Sequence, residues 1–467
     1  MLFLLADANP YVPAPSFLNS GDTAWQLTAA TFVGMQSIPG LAILYAGLVK
    51  KKWALNSAVM CFYAFSVVLL CWVLWGYNMG FGSPATLGPG ILSQIVGIPH
   101  PAVDALGETG QAAIPLAGTG FPPLRFAGSA MIYFQFVFAA ITPLLIAGSV
   151  LGRMNFKAWM LFVPLWSSLV YTVGAFMLWG GGWLAALGAV DYSGGYVIHL
   201  AAGVSGFVAA AMVGPRLMED RKNFDPNNLI VALAGAGLLW LGWNGFNGGD
   251  PYFANADAAA AVLNTNIATA VALLVWLIFD MFALGKPSAV SMINGMIVGL
   301  VAITPAAGYV DGFGAIATGA VAAVVVWFSL NKVGQWSVLK KVDDTFGVLH
   351  THGVAGLMGG LCVGLFANPN MIEYLSGDHK TAPVSVQGLF FGNPKQLWTQ
   401  FLAALVIIGW NVVGTAVVLK IVSFVFPLRA SDGDVEGGDL AIHGIDPVPA
   451  YAPVAPNGTP QPVATSP

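Results

Sequence analysis

The sequence predicts an all-α integral membrane protein with eleven transmembrane helices, and three observations carry that prediction. Of 467 residues, 57% are hydrophobic and only 8% are charged, whereas a soluble domain carries about 25% charged residues. Mean hydropathy is +0.76. A chain this poor in charge cannot solvate its own surface, so most of that surface faces lipid. The apolar residues also gather into segments of about 20, the length that crosses a bilayer. Finally, the basic residues collect in alternate connections between those segments, the asymmetry that orients membrane proteins.

Taken in order, the predicted spans are 23–48, 56–80, 126–151, 158–182, 191–214, 227–248, 260–284, 288–308, 313–331, 345–367 and 398–426. Alternate connections hold Lys50, Lys51 and Lys52; Arg153 and Lys157; Arg216, Arg221 and Lys222; Lys286; and Lys332, Lys340 and Lys341, with Arg429 after the last span. The opposite connections hold only Arg125, Lys380 and Lys395. The basic side is cytoplasmic, which puts the N-terminus outside and the C-terminus inside.

Three regions follow. Residues 1–22 read as an extracellular N-terminal segment, 23–428 as the membrane domain, and 429–467 as a cytoplasmic tail. The opening MLFLLADANP is too short and uncharged for an ordinary signal peptide, so the first helix reads as a span that stays. Connection 81–124, rich in Gly and Pro, reads as an irregular extracellular cap. The tail is acidic around Asp432, Asp434, Glu436 and Asp439, then Pro-rich, the composition of a mobile segment. A net charge of −4 is too small and scattered to imply nucleic acid. Cys61, Cys71 and Cys362 lie inside apolar segments and read as small core residues rather than redox groups.

Two segments share one skeleton. DYSGGYVIHLAAGVSG runs from Asp191 and DTFGVLHTHGVAGLMG from Asp344; each reads Asp, seven residues, His, three residues, Gly, two residues, Gly. Only His352, not His350, matches His199 in having Gly at the fourth and seventh following positions. The two segments lie five spans apart and run in opposite directions, which predicts a five-plus-five inverted repeat with one extra helix. Such repeats hold their site near the midplane. Eight helical residues advance about 12 Å, which puts both histidines near the middle of a core about 30 Å thick. Buried ionisable residues in membrane helices are costly and call for a function. Neutral imidazole offers one donor and one acceptor, so a pair could pass a proton while meeting a small polar solute. A three-imidazole metal site from His199, His350 and His352 is disfavoured, because residues two apart on a helix diverge and no thiolate or carboxylate completes the set. Asp191 reads as a helix cap whose charge favours a cation just outside, with Asp344 its counterpart.

Aromatics crowd the outer halves of several spans: Phe134, Phe136 and Phe138 in FQFVFAAIT, Trp179 before three glycines, and Trp243 and Phe246 in GWNGFNGGD. Rings can face lipid or pack, or hold a small cation on their faces. The pattern alone does not choose among them.

At this point the residues resemble a known family. GDTAWQL leading to IPGLAILYAGLVKKK, then FQFVFAAITPLLIAGS, LWGGGWLAALGAVDYSGGYVIHLAAGVSG, GWNGFNGG, ITPAAGYVD and DTFGVLHTHGVAG resemble blocks of the ammonium transporter family (Amt/Mep/Rh) over about residues 20–445. The HTH form is similar to the Mep and plant type-two branch. The resemblance implies a homotrimer in the cell membrane, one pore per subunit, with ammonium and its analogue methylammonium as substrates and no enzymatic activity or cofactor. It implies that His199 and His352 line the narrow pore. Trp179 and Phe138 resemble the walls of an outer ammonium site, with Asp250 as third group. Phe138 and Phe246 resemble a stacked gate with Phe134 beside it, and Asp191 a supporting acid that does not touch substrate.

There are departures. Many members have serine at the position of Asp250; an aspartate there either binds a cation more strongly or turns away to cap the next segment. GDLAIHG in the tail resembles the family's cytoplasmic block and then diverges, while a PII-type signal protein at the cytoplasmic face is implied by the family alone. The expected function is ammonium uptake with separate proton transfer. An electroneutral Rh-like channel for ammonia, amines or gas and an ammonium sensor are its rivals.

Overall fold

The structure, a computed structural model, describes residues 15–85, 90–115, 123–222, 225–371 and 386–446. Residues 1–14 of the N-terminal segment, parts of the 81–124 cap, Lys380 and the Pro-rich end 447–467 lie outside the described residues. Among those described, all regular structure is helical, with three isolated bridges.

Among the described residues, ten helices are long and apolar enough to cross a membrane. In order with one shorter helix they are α1 (Ser20–Leu48), α2 (Lys51–Phe81), α3 (Gly128–Val150), α4 (Phe156–Ala186), α5 (Gly195–Val213), α6 (Leu229–Gly248), α7 (Ala256–Ala283), α8 (Ala289–Ile303), α9 (Gly312–Gln335), α10 (Leu349–Phe366) and α11 (Pro394–Ser423). The shorter helix is α8. It falls within the predicted span 288–308 but stops at Ile303, because Pro305 has no N–H to continue the ladder. Several starts are set by side chains that accept orphan amides: Asn19 for Asp22 N at 3.0 Å, Asn228 for Ile230 N at 3.0 Å, Asn255 for Ala258 N at 3.1 Å and Asp311 for Gly314 N at 2.9 Å. α3 is the most buried of these helices; it packs on α5, which carries His199, and α5 in turn packs on α10, which carries His352.

One expectation is corrected here. The fifth helix does not start at Asp191. The chain turns through Gly194 at φ 110° and becomes helical at Gly195, so His199 is four residues into its helix and the depth of about 12 Å reckoned from Asp191 does not hold. The Asp344 helix likewise starts at Leu349. Both histidines lie in a single wide π-helical turn, Gly195–Leu200 and Leu349–Val354, a distortion frequent at functional sites.

The matched glycines permit a close antiparallel crossing of α5 and α10. A Cβ on Gly203 would lie 2.2 Å from Gly353 N and 3.1 Å from Val348 O; one on Gly356 would lie 2.9 Å from Leu200 N and 2.5 Å from Gly195 O. These partners stand at equivalent offsets from the two histidines. The next glycines repeat the match: Gly206 abuts Ser149 and Ile146 of α3, and Gly359 abuts Ala302 of α8. Ahead of the helices, Tyr192 N and Ser193 N donate to Pro305 O and Thr304 O at 3.3 and 3.2 Å, while Thr345 N and Phe346 N donate to Ser149 O and Gly148 O at 3.3 and 3.2 Å.

At the basic end, buried Arg153 ties three connections together. Its Nε donates to Gly214 O at 2.9 Å, Nη1 to Thr345 Oγ1 at 2.6 Å, and Nη2 to Asp343 O. Arg216 pairs with Asp343 at 2.8 Å. The tail is docked rather than loose as far as Asp446. Short helices α12 (Asp432–Gly437) and α13 (Asp439–His443) are held because the Asp439 carboxylate accepts Leu55 N and Asn56 N, both at 2.8 Å, in the first turns of α2, a cap supplied from far along the chain.

Candidate functional site

His199 and His352 face each other from the crossing of α5 and α10. Their Nδ1 atoms are 3.3 Å apart, and the rings stack with centroids 5.4 Å apart at 27°. Both are buried. A hydrogen bond between two Nδ1 atoms needs a proton on one and none on the other. In the neutral pair, one Nε2 is therefore an acceptor and the other a donor. Nε2 of His199 has no partner in the protein. His350 takes no part in this pair: its Nδ1 bonds Ser329 Oγ at 2.8 Å.

An aromatic column stands on the His199 side. Trp243 and Phe246, three apart on one face of α6, lie at 5.3 Å and 5.8 Å from His199, tilted by only 18° and 25°. Trp243 is fixed by Nε1 donating to Thr304 Oγ1 at 2.8 Å. Phe138 packs on Phe246 at 4.4 Å, Phe134 on Phe138 at 4.8 Å, and Trp179 meets Phe138 at 90° with centroids 6.4 Å apart. Trp179, Phe138, Phe246 and Phe134 are thus brought together in one aromatic cluster ending at His199. Phe81, which sequence reasoning did not single out, lies parallel to Trp179 at 6.4 Å.

Two carboxylates support this stack. Asp191 accepts amides from Gly194, Gly195, Tyr196 and Val197 at 3.0, 2.6, 2.9 and 2.9 Å. With four bonds it satisfies the start of α5, and its own carbonyl accepts Trp179 Nε1 at 2.7 Å. It therefore sets both the ring and the helix that carries His199. Asp250 does not cap the next segment, which Asn255 caps instead. It accepts from Ser193 Oγ; Ser193 also bonds Phe246 O at 3.2 Å. The acid is thereby tied to the turn after Asp191.

On the other side, His352 and His350 line a cavity of about 450 Å³ that also touches Tyr45, Arg216, Asp343 and Asp344. Asp344 Oδ2 accepts Leu349 N at 2.9 Å. Sequence reasoning missed the role of Trp243 as a platform for His199, although its spacing to Phe246 was available. It also missed Ser193, for which no sequence signal existed.

Comparison with known proteins agrees with this architecture. The sequence profile of the Ammonium Transporter Family matches residues 24–446. Ammonium transporter 2 of Arabidopsis thaliana is 51% identical over 449 residues, covering 95% of this chain and 91% of that protein. Ammonium transporter 3 member 3 of Oryza sativa subsp. japonica is 49% identical over 453 residues, covering 94% and 91%. Among solved structures, Candida albicans Mep2 superposes with a TM-score of 0.76 at 27% identity, covering 91% of this chain and 89% of its own. This multi-pass membrane chain belongs to the ammonium transporter family.

Proposed function

We propose that the protein takes ammonium into the cell across the plasma or inner membrane and delivers ammonia through a pore lined by His199 and His352. The observation that carries this reading is the imidazole pair itself, with Nδ1 atoms 3.3 Å apart at the end of a closed aromatic stack. The names of the plant relatives support the substrate. Ammonium, or methylammonium in its place, is held on the faces of Trp179 and Phe138 near Asp250, where a cation over aromatic rings gains about 0.5–2 kcal/mol. Phe138, Phe246 and Phe134 form the gate. Asp191 is the structural acid of the site and does not touch substrate. Ammonium loses its proton at the gate, and ammonia meets one imidazole acceptor and one donor in the lumen. An alkali cation cannot shed its charge and is rejected. The proton released from ammonium passes inward along polar groups, apart from the ammonia, which makes uptake electrogenic.

The same reading takes α8 as a true crossing, extended by residues 304–308, giving eleven helices in five-plus-five inverted repeats plus α11. The matched contacts of α5 with α3 and of α10 with α8 support it. The basic end then faces the cytoplasm, with residues 1–22 outside, 23–428 in the membrane and 429–467 inside. The assembly is a homotrimer in the bilayer, and a PII-type signal protein docks at the cytoplasmic face.

The test is transport by His199→Asp in proteoliposomes, with current and ammonium flux read together. The wild type passes net charge with ammonium and excludes potassium, and the variant admits potassium. A variant that carries ammonium alone, with no more potassium than wild type, refutes the histidine account; zero current in wild type refutes electrogenic transport.

A further inference from the structure

A groove opens on an exposed face of α2, where Phe62 is 52% exposed. Of about 500 Å³, it is lined by Leu55, Ala58, Val59, Phe62, Tyr63 and Ser66, with Phe156 of α4 as its other wall. The six α2 positions follow helical spacing and form one face. Tyr63 holds the walls in register: its hydroxyl donates to Met160 O at 2.7 Å, and its ring meets Phe156 edge-on at 6.2 Å. From Leu55 to Ser66 the groove runs about 16 Å, roughly half of a hydrocarbon core about 30 Å thick. It therefore fits one acyl chain from one leaflet.

The mouth of the groove selects the headgroup. Lys50 and Lys52 are already engaged by Asp220 at 2.9 and 3.1 Å. Lys51, one turn before Leu55, and Lys157, next to Phe156, adjoin the lining residues at this end in sequence and are both exposed. The His443 ring closes the same end, edge-on to Phe156 at 5.6 Å with Nε2 at 3.1 Å from Asn56 Oδ1. The nearby acid Asp439 is occupied by the amides of Leu55 and Asn56. We propose that this groove binds an anionic phospholipid of the cytoplasmic leaflet, its chain along α2 and its phosphate between Lys51 and Lys157. Anionic lipid is concentrated on that side and attracts juxtamembrane lysines. The leaflet assignment rests on the orientation proposed above, whereas the groove and its charges do not.

The test uses the full-length protein with phosphatidylglycerol bearing a photoactivatable chain, and maps adducts by mass spectrometry. Labelling is expected on residues 55–66, displaced by unlabelled phosphatidylglycerol roughly tenfold better than by phosphatidylcholine. The double variant Lys51→Gln, Lys157→Gln is expected to lose that preference while still being labelled. Ala58→Trp, which fills the groove, is expected to lose the adduct, with ammonium uptake retained in both as a check on folding. No adduct on 55–66 in wild type, or an undiminished preference in the double variant, overturns the proposal. Labelling of a Lys51→Cys variant by a membrane-impermeant maleimide from either face reports the orientation separately.

Discussion

The two histidine segments share a backbone plan and differ in what surrounds it. In both, an acid precedes a π-helical turn, a histidine sits in that turn, and glycines follow that let the helices cross in contact. Around His199 the plan is sealed by Trp243, Phe246 and Phe138. Around His352 it opens to a cavity of about 450 Å³ with a mixed polar and apolar lining. The acids differ in the same sense. Asp191 holds four amides and, through its carbonyl, a tryptophan, whereas Asp344 Oδ2 holds Leu349 N beside that cavity. The shared backbone brings the two imidazoles together, and the unshared side chains close one approach with aromatic rings and leave a cavity on the other. The two segments thus decorate one backbone plan differently.

The largest expected effect tests the shared frame. Gly203→Ala and Gly356→Ala each drive a Cβ into backbone atoms of the partner helix, at 2.2 Å and 2.5 Å. Each is expected to cost roughly 3–5 kcal/mol, the upper range for single substitutions, seen as a collapse in the yield of folded protein and in its thermal midpoint in detergent. The two losses should be similar. A variant pair in which one is severe and the other mild breaks the equivalence of the halves.

Next comes the difference between the acids. Asp191→Ala leaves four amides at a buried helix start without acceptors, at about 1–3 kcal/mol for each group that cannot rehydrate. It also frees Trp179 to shift. Asp344→Ala removes the acceptor of Leu349 N beside a cavity of about 450 Å³, roomy enough for a water to take its place, at a cost of about 1 kcal/mol. Ammonium flux should therefore fall by roughly a hundredfold or more for Asp191→Ala and only a few-fold for Asp344→Ala, measured at equal reconstituted protein. Equal losses would mean that the sealed half owes nothing to its denser cap.

Much of this frame was legible in the chain. Spacing alone picked His352 over His350, because glycine recurrence is a local signal and close helix crossing demands it. The aromatic stack was only half legible: positions 243 and 246 share a helix face, but nothing local says that Trp243 lies flat on a ring 44 residues earlier, at His199. The helix start was misplaced because Ser193-Gly194-Gly195 continues an apolar run, and hydropathy does not register that Gly194 turns through positive φ. Ser193 bonding to Asp250 and Asp439 capping α2 join distant residues. Composition had marked the tail as loose for the same reason, since its anchor is a pair of amides near residue 55.

The smallest expected effect concerns a brace that only one half possesses. Thr345 N pairs with Ser149 O much as Tyr192 N pairs with Pro305 O, but only Thr345 is also gripped by an arginine, through Arg153 Nη1 at 2.6 Å. Asp343 next to it is central to the brace. Burial alone would raise its carboxyl, but the hydrogen bonds and charge of Arg216, with the charge of Arg153, overcome that and hold it at about 2. A depressed carboxylate stabilises the fold above the unfolded value near 3.9 and loses that contribution as pH falls through its folded value. Between about pH 4 and 2 the wild type should therefore lose about 1–2 kcal/mol, allowing for solvent screening, that Asp343→Asn lacks throughout. The measurement is the difference in thermal midpoint between the two proteins in detergent: wild type higher above pH 4, converging below pH 2. A difference that persists well below pH 2, or one that is absent at pH 6, would show that Asp343 braces the open half by packing or not at all, leaving the two halves without this electrostatic distinction.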